Sequence, residues 1–312
     1  MLRLRLVVGV ALGLACSSAA WAWHGEGHDL AARKAISILP ADMPVFFRDG
    51  SEMIAHTSLD PDLFTKPIAA PQLHDAEAPE HYFDLEKLDG VALPPGRYDL
   101  LKYLYAHDLE PAKVGLAPYA ITENTQRLAV CFAEYRKWPQ SKEIQVKCLL
   151  HAGILAHYAA DLCQPLHTTI HYDGRIVPGQ PTQKGIHKKV DALLGKLPPD
   201  VSITATPTDV RPMESLWDGV VEQLMASYAM VDRVYEMEPM LPAYEQPLDV
   251  SSPAGEFARE RLSASSLFIA RLYATAWRDS ADISLPEFHK RPATQPARPQ
   301  LPTTKPATQP HN

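Results

Sequence analysis

Apolar residues recur at spacings of three and four along most of the chain. This pattern predicts helices near residues 27–39, 97–108, 117–137, 141–163, 185–196, 213–236 and 253–280. In the last of these, Phe257, Leu262, Leu267, Ile269, Leu272, Ala276 and Trp277 supply the apolar positions. Stretches rich in proline, glycine and aspartate separate the segments, at 57–80, 88–96, 172–185, 197–212 and 238–252, and read as loops. No alternation of apolar and polar residues is long enough to build a sheet, and no repeat of solenoid length is present. The expected fold is all-α, a single multi-helix domain whose loops are long enough to carry function.

Both ends of the chain break the pattern. Met-Leu-Arg-Leu-Arg is basic, an apolar run follows from Leu6 to Leu14, and small residues lead to Ala20-Trp21-Ala22. That is the layout of a secretory signal with an A-x-A site, cut between Ala22 and Trp23. The apolar run is too short to span a membrane. Cys16, after Leu14-Ala15, offers a weaker alternative site of lipoprotein type. From Arg291 onward proline recurs every few residues and apolar side chains are nearly absent. Such a tail cannot bury enough surface to offset its ordering entropy, so disorder is expected there. The expected layout is a signal peptide over 1–22, a domain over 23–290 and a Pro-rich tail over 291–312. The mature protein is expected to be secreted or periplasmic, monomeric and without a transmembrane segment. A domain of that size would bury roughly 75% of its unfolded surface.

The chain has 312 residues and a formal net charge of −7. That charge supplies no global attraction to nucleic acid or acidic membranes, although metal ions in a site can invert the local field. Cys131, Cys148 and Cys163 remain after processing. An odd number leaves at least one unpaired, and Cys131 with Cys148 could join neighbouring helices.

The candidate chemistry rests on histidine and aspartate. In His-Tyr-Ala-Ala-Asp-Leu-Cys-Gln-Pro-Leu-His, His157 and Asp161 stand four apart and leave the same helix face. Leu150 and Ile154 continue that face, which predicts that the pair points inward. The helix must end at Gln164-Pro165, and His167 follows two residues past the proline. A buried carboxylate needs a partner, and a metal ion is one. His187 and Asp191 repeat the four-residue spacing in Gly-Ile-His-Lys-Lys-Val-Asp. His81, in His-Tyr-Phe-Asp-Leu-Glu, lies downstream of Asp60-Pro61-Asp62, and His28 lies five residues after Trp23. One catalytic zinc needs three protein ligands, so this supply of donors suits a cluster. A terminal amine has a pKa of roughly 7.7–8.0. Once freed by cleavage, Trp23 would be able to chelate through its amine and carbonyl. The remaining histidines, His24, His56, His74, His107, His151, His171, His289 and His311, read as surface or structural residues, and Cys163 as a small buried one.

These residues resemble the ligand set of the trinuclear-zinc superfamily. One branch of it holds the single-strand-specific nucleases of fungi and plants, and the other the bacterial phospholipase C that hydrolyses phosphatidylcholine. The resemblance runs from Trp23 to Asp191, and its most specific part is the H-x3-D-x5-H block that ends in Gln-Pro-Leu-His. It implies three zinc ions. Asp62, His81, His157 and Asp161 would hold the first, with Asp60 as the alternative to Asp62. Asp161 would bridge to a second, held also by His28 and by the amine and carbonyl of Trp23. His167, His187 and Asp191 would hold the third. The activity implied is hydrolysis of a phosphoric ester by a hydroxide shared between two ions, with Asp62 assisting as a base.

For the nuclease branch, His-Tyr-Phe-Asp implies that Asp84 hydrogen-bonds a base edge and that Tyr82 stacks on the base. The Trp-x4-His spacing points the same way, as does Asp191, where the phospholipase carries glutamate. Three features depart from it. Thr65, with Lys66 beside it, stands where the nucleases place an arginine. The nuclease Gly-Gly-Asn is missing, and Gly174 leads into a different loop. Lys-Gly-Ile-His-Lys-Lys-Val-Asp is closer to the phospholipase. The expected function is a nuclease or 3′-nucleotidase acting on single-stranded nucleic acid. Hydrolysis of phospholipid head groups is the first alternative, and a zinc-binding protein without catalysis is the second.

Overall fold

Capping chemistry sets the start of three of the helices. In the computed structural model, which describes residues 23–66, 70–176 and 183–289, serine side chains close three helix N-termini. Ser141 Oγ accepts from the amide of Ile144, Ser215 Oγ from Asp218 and Ser252 Oγ from Gly255. Each satisfies a donor that the first helical turn leaves unpaired. The expected signal over 1–22, with its alternative at Cys16, and the tail over 291–312 lie outside the described residues.

The helices run in the order α1 (Gly25–Ser37), α2 (Val45–Arg48), α3 (Ser51–Thr57), α4 (Asp60–Phe64), α5 (Pro71–Glu77), α6 (Arg97–Ala106), α7 (Ala117–Lys137), α8 (Lys142–Leu162), α9 (Ile186–Gly195), α10 (Leu216–Tyr228), α11 (Val231–Met237) and α12 (Pro253–Asp279). Short 3₁₀ turns at Ala78–His81, Leu85–Leu88, Pro111–Lys113, Pro165–Thr168 and Glu238–Met240 join them. Among the described residues the only β-pairing is an isolated bridge between Phe83 and Gly115. The all-α expectation holds.

The long helices match their predicted segments to within about two residues. The 213–236 segment is two helices, α10 and α11, broken at Ala229-Met230. Helices α2 and α3 lie in a stretch with no prediction, and α4 and α5 lie in one read as loop. All four are four to seven residues long, too short for a 3.6-residue period to show in sequence.

Helices α7 and α8 pack side by side, and α12 lies against α1, α7 and α8. Phe47, Phe132, Tyr273 and Trp277 join them edge to face, with ring centres 5.0–5.4 Å apart, the arrangement that aromatic quadrupoles favour. Helix α1 also contacts α3, α8 and α9, and so connects the elements that carry the histidines. Two glycines make the close approaches possible. A Cβ on Gly153 of α8 would lie 1.9 Å from Thr57 Oγ1 and 2.7 Å from the Ile54 carbonyl of α3. Gly115, at φ +93°, would place one 2.0 Å from the Tyr82 carbonyl.

Cys131, Cys148 and Cys163 are buried free thiols, and burial raises the pKa of each. The 131–148 disulfide is not formed. No helix among the described residues is long and apolar enough to cross a membrane.

Candidate metal centre

The C-terminal end of α8 carries His157 and Asp161, both fully buried. The inward stripe predicted through Leu150 and Ile154 is only partly real. Leu150 is 36% exposed and Ile154 half-buried. The stripe is fully buried only at His157 and Asp161, towards the end of α8, a helix that contacts α3, α4 and the turn at 78–81. A four-residue period fixes a shared face, but the neighbours decide how much of that face is buried.

Each of the other donors is delivered by its own element. α1 brings His28, and α4 brings Asp62. The turn Ala78–His81 brings His81, the turn after Gln164-Pro165 brings His167, and α9 brings His187 and Asp191. The 81–84 segment is laced into place from two sides. Phe83 N donates to the His167 carbonyl at 2.8 Å, Asp84 N to Val114 at 2.7 Å, and Ala117 N to the Tyr82 carbonyl at 3.2 Å.

These eight side chains form three groups that each hold possible ligand atoms within 4.8 Å: His28, Asp62 and His157; His81, His157 and Asp161; and His167, His187 and Asp191. The two oxygens of Asp161 face different histidines. Oδ1 is 3.3 Å from His28 Nε2, while Oδ2 is 2.9 Å from His81 Nδ1 and 3.3 Å from His157 Nε2. His157 Nε2 is also 3.0 Å from His81 Nδ1 and 3.9 Å from Asp62 Oδ1. Ligands at 2.0–2.2 Å around a tetrahedral ion sit about 3.4 Å apart, and these separations bracket that value. Asp62, not Asp60, reaches the cluster.

Backbone carbonyls orient three of the rings. Nδ1 of His157 donates to the Ser58 carbonyl at 2.7 Å, Nδ1 of His167 to His81 at 2.8 Å, and Nδ1 of His187 to Tyr172 at 3.2 Å. A carbonyl oxygen only accepts, so each Nδ1 carries a hydrogen and each Nε2, which holds a lone pair once the ring is neutral, faces inward, the usual support for a metal-binding imidazole. Both nitrogens of His28, Nε2 of His81 and Nε2 of His167 are buried and make no hydrogen bond among the described residues. Orphaned buried nitrogens of this kind are costly, and a cation would satisfy them. The donor set fits metal ions.

Electrostatics sharpen this. Burial disfavours a charged His157, but the Asp161 carboxylate and then Asp62 outweigh it and raise the imidazole to about 9. Burial pushes Asp161 upward, yet His157 and His28 hold it well below the usual carboxylate range. Burial and the neighbouring His157 keep His28 low, and burial keeps His167 low. Without metal, then, His157 and Asp161 form an ion pair beside the neutral rings of His28 and His167.

Trp23 is fully buried and its indole Nε1 donates to the Ala160 carbonyl at 2.9 Å, while His24 N donates to the Asp191 carbonyl at 3.1 Å. These bonds pin the backbone of residues 23–24 beside α8 and α9, next in sequence to Asp161 and bonded to Asp191. The Tyr82 hydroxyl donates to the Ala112 carbonyl at 2.5 Å, which fixes its ring. The half-buried Asp84 carboxyl makes no hydrogen bond among the described residues, and burial, then Glu86, push it up to about 7. Thr65 is nearly buried, and its hydroxyl donates to the Asp62 carbonyl at 2.8 Å. It is turned into α4 rather than towards a ligand.

Some participants were not legible in the sequence. The carbonyls of Ser58, Tyr172 and His81 carry no residue-type signal. Tyr158, whose ring meets His81 and His157 edge-on at 5.4 and 5.6 Å and whose hydroxyl is bonded to Glu77, had no assigned part in the sequence reading. Gln164 lay inside the motif but had no assigned part. His171 and Cys163 stay outside the three groups, as expected.

No family model and no curated relative matches the chain. Among the solved structures that align with it, two do so at 12% identity. The alpha toxin from Clostridium absonum matches with a TM-score of 0.45, covering 85% of this chain and 68% of that one. The alpha-toxin of Clostridium perfringens from avian strain SWCP matches with a TM-score of 0.44, covering 84% of this chain and 67% of that one.

Proposed function

We propose that this protein is an exported, zinc-dependent hydrolase of phosphoric esters. The observation that carries the reading is the convergence of His28, Asp62, His81, His157, Asp161, His167, His187 and Asp191, with the two oxygens of Asp161 facing different imidazoles. Imidazole and carboxylate donors in this number suit zinc. Three ions would be held by the groups implied from the sequence, with Trp23 adding its freed amine and its carbonyl. Zinc supplies Lewis acidity, lowering the pKa of water towards neutrality and offsetting charge on phosphoryl oxygens.

The chain's own residues have separate tasks. Backbone-bonded His157, His167 and His187 keep their Nε2 atoms aimed inward. His157 belongs to two of the three groups and Asp161 faces His28, His81 and His157, so these donors act as one centre. Asp62, 14% exposed and 3.9 Å from His157 Nε2, stands at the edge of the cluster, where a carboxylate accepts the proton lost by the attacking water.

Two substrate classes follow from two observations. Asp84, half-buried with an uncommitted carboxyl, and the fixed Tyr82 ring favour a base of single-stranded nucleic acid or a 3′-nucleotide. Thr65, committed to the Asp62 carbonyl where the nucleases carry arginine, removes a phosphate grip and favours a phospholipid head group.

The test is zinc counted per chain, combined with turnover of single-stranded DNA, RNA, 3′-nucleotides and phosphatidylcholine. Cleavage of nucleic acid with loss of base preference in Asp84→Ala supports the first class. Turnover of phosphatidylcholine alone establishes the second. Three bound ions with no turnover of any of these would make the protein a zinc-binding protein rather than an enzyme.

A further inference from the structure

Gln164 is a completely buried amide between the two halves of the centre. It follows the helix that carries Asp161 and caps the 3₁₀ turn that carries His167. Its Oε1 accepts from the amide of Leu166 at 2.6 Å, and its Nε2 donates to Asp191 Oδ1 at 2.7 Å. The orientation is forced by chemistry. A backbone N–H only donates, so the amide oxygen must face Leu166, and the NH₂ group must face Asp191.

This bond divides the work of the Asp191 carboxylate. Oδ1 is taken by the amide. Oδ2 makes no hydrogen bond among the described residues and lies 3.0 Å from His187 Nε2, in the group completed by His167. The same side chain also shapes the turn from which His167 projects. One amide thus sets two of the three donors of this group, although they come from elements more than twenty residues apart in sequence. Few side chains can do both. Leucine or methionine would leave a buried carboxylate oxygen and a buried amide unmatched. An ionised glutamate would accept from Leu166 but place a second negative charge against Asp191. Asparagine is one methylene short.

We infer that Gln164 is a positioning residue that presents Oδ2 of Asp191, together with His167, to the third metal ion. The inference rests on the metal-binding reading above. The experiment uses the exported full chain, with wild type, Gln164→Met and Gln164→Glu compared. Zinc is counted, and each affinity is measured by competition with a chromophoric chelator. Wild type is expected to hold three ions. Gln164→Met is expected to keep two of them at unchanged affinity and to bind the third about 10–100-fold more weakly, the usual effect of losing such a partner. Gln164→Glu retains the side-chain length and the bond from Leu166. It is expected to lose the same ion selectively, which keeps the test decisive if the methionine variant fails to fold. Three ions bound with wild-type affinities by Gln164→Glu would overturn the inference. Equal weakening of all three ions would also overturn it, because that is what general loosening of the scaffold produces. A wild-type protein that binds no zinc would instead sink the metal reading itself.

Discussion

At the residue scale, the proton balance of the centre is set by the His157–Asp161 pair. The folded, metal-free His157 titrates at about 9 against an ordinary 6.5, so it is protonated at pH 7. A metal ligand must be neutral, and binding therefore expels that proton. Zinc affinity is expected to rise with pH up to about pH 9. Calorimetry at pH 7 in buffers of different ionisation enthalpy should show release of at least about one proton per chain; heats independent of buffer would refute this. Asp84 gives a second prediction of definite sign. Its folded pKa of about 7 lies above the ordinary 3.8. The folded state therefore binds the extra proton, and the resulting stability is fully present below pH 3.8 and lost as pH rises through 7. In metal-free protein, the thermal midpoint of wild type is expected to fall relative to Asp84→Asn across that window. Parallel curves would show that the carboxyl titrates normally.

At the scale of elements, the crossing of α3 and α8 matters more than either helix alone. Gly153 lets α3 come close enough for the Ser58 carbonyl to hold His157. Gly153→Ala should force the helices apart, destabilising the protein by about 1–3 kcal/mol and weakening zinc binding at the first site. Ser252→Ala, which removes the cap of α12, should cost about 1 kcal/mol and leave the metal content unchanged. Chemical denaturation with metal analysis of both variants separates the two effects. Equal zinc content in both would mean that the crossing does not position His157. The ranges of α7, α8 and α12 were readable because each spans enough turns for the apolar spacing to repeat. Helices α4 and α5 were not, because one or two turns carry no period, although Asp62 depends on α4.

At the scale of the whole molecule, the N-terminal residues are held by elements far away in sequence. The Trp23 indole is bonded to Ala160 of α8, and the His24 amide to Asp191 of α9. Gly27 and Gly195 let α1 and α9 approach. A Cβ on Gly27 would lie 3.0 Å from that of Leu194 and 3.1 Å from that of Trp23. On the proposed reading, export and metal loading are therefore coupled, because cleavage before Trp23 creates a donor that an amide cannot supply. A protein made with Ala22 retained is expected to bind one zinc fewer than one starting at Trp23, as counted by native mass spectrometry. Equal counts would remove the terminal amine from the ligand set.

The sequence by itself determined the donors and their pairing within an element, since a four-residue spacing on a helix and a proline after it are local facts. His157 with Asp161, His187 with Asp191 and the turn that carries His167 were all readable in this way. The tertiary structure decided what no local rule contains. It chose Asp62 over Asp60 and turned the two oxygens of Asp161 towards different partners. It supplied the Ser58, His81 and Tyr172 carbonyls that fix the ring tautomers, and it buried Gln164 against Asp191. These are contacts between elements distant in the chain. They depend on how closely helices can approach, and so on Gly153, Gly27 and Gly195 as much as on the residues that carry the chemistry.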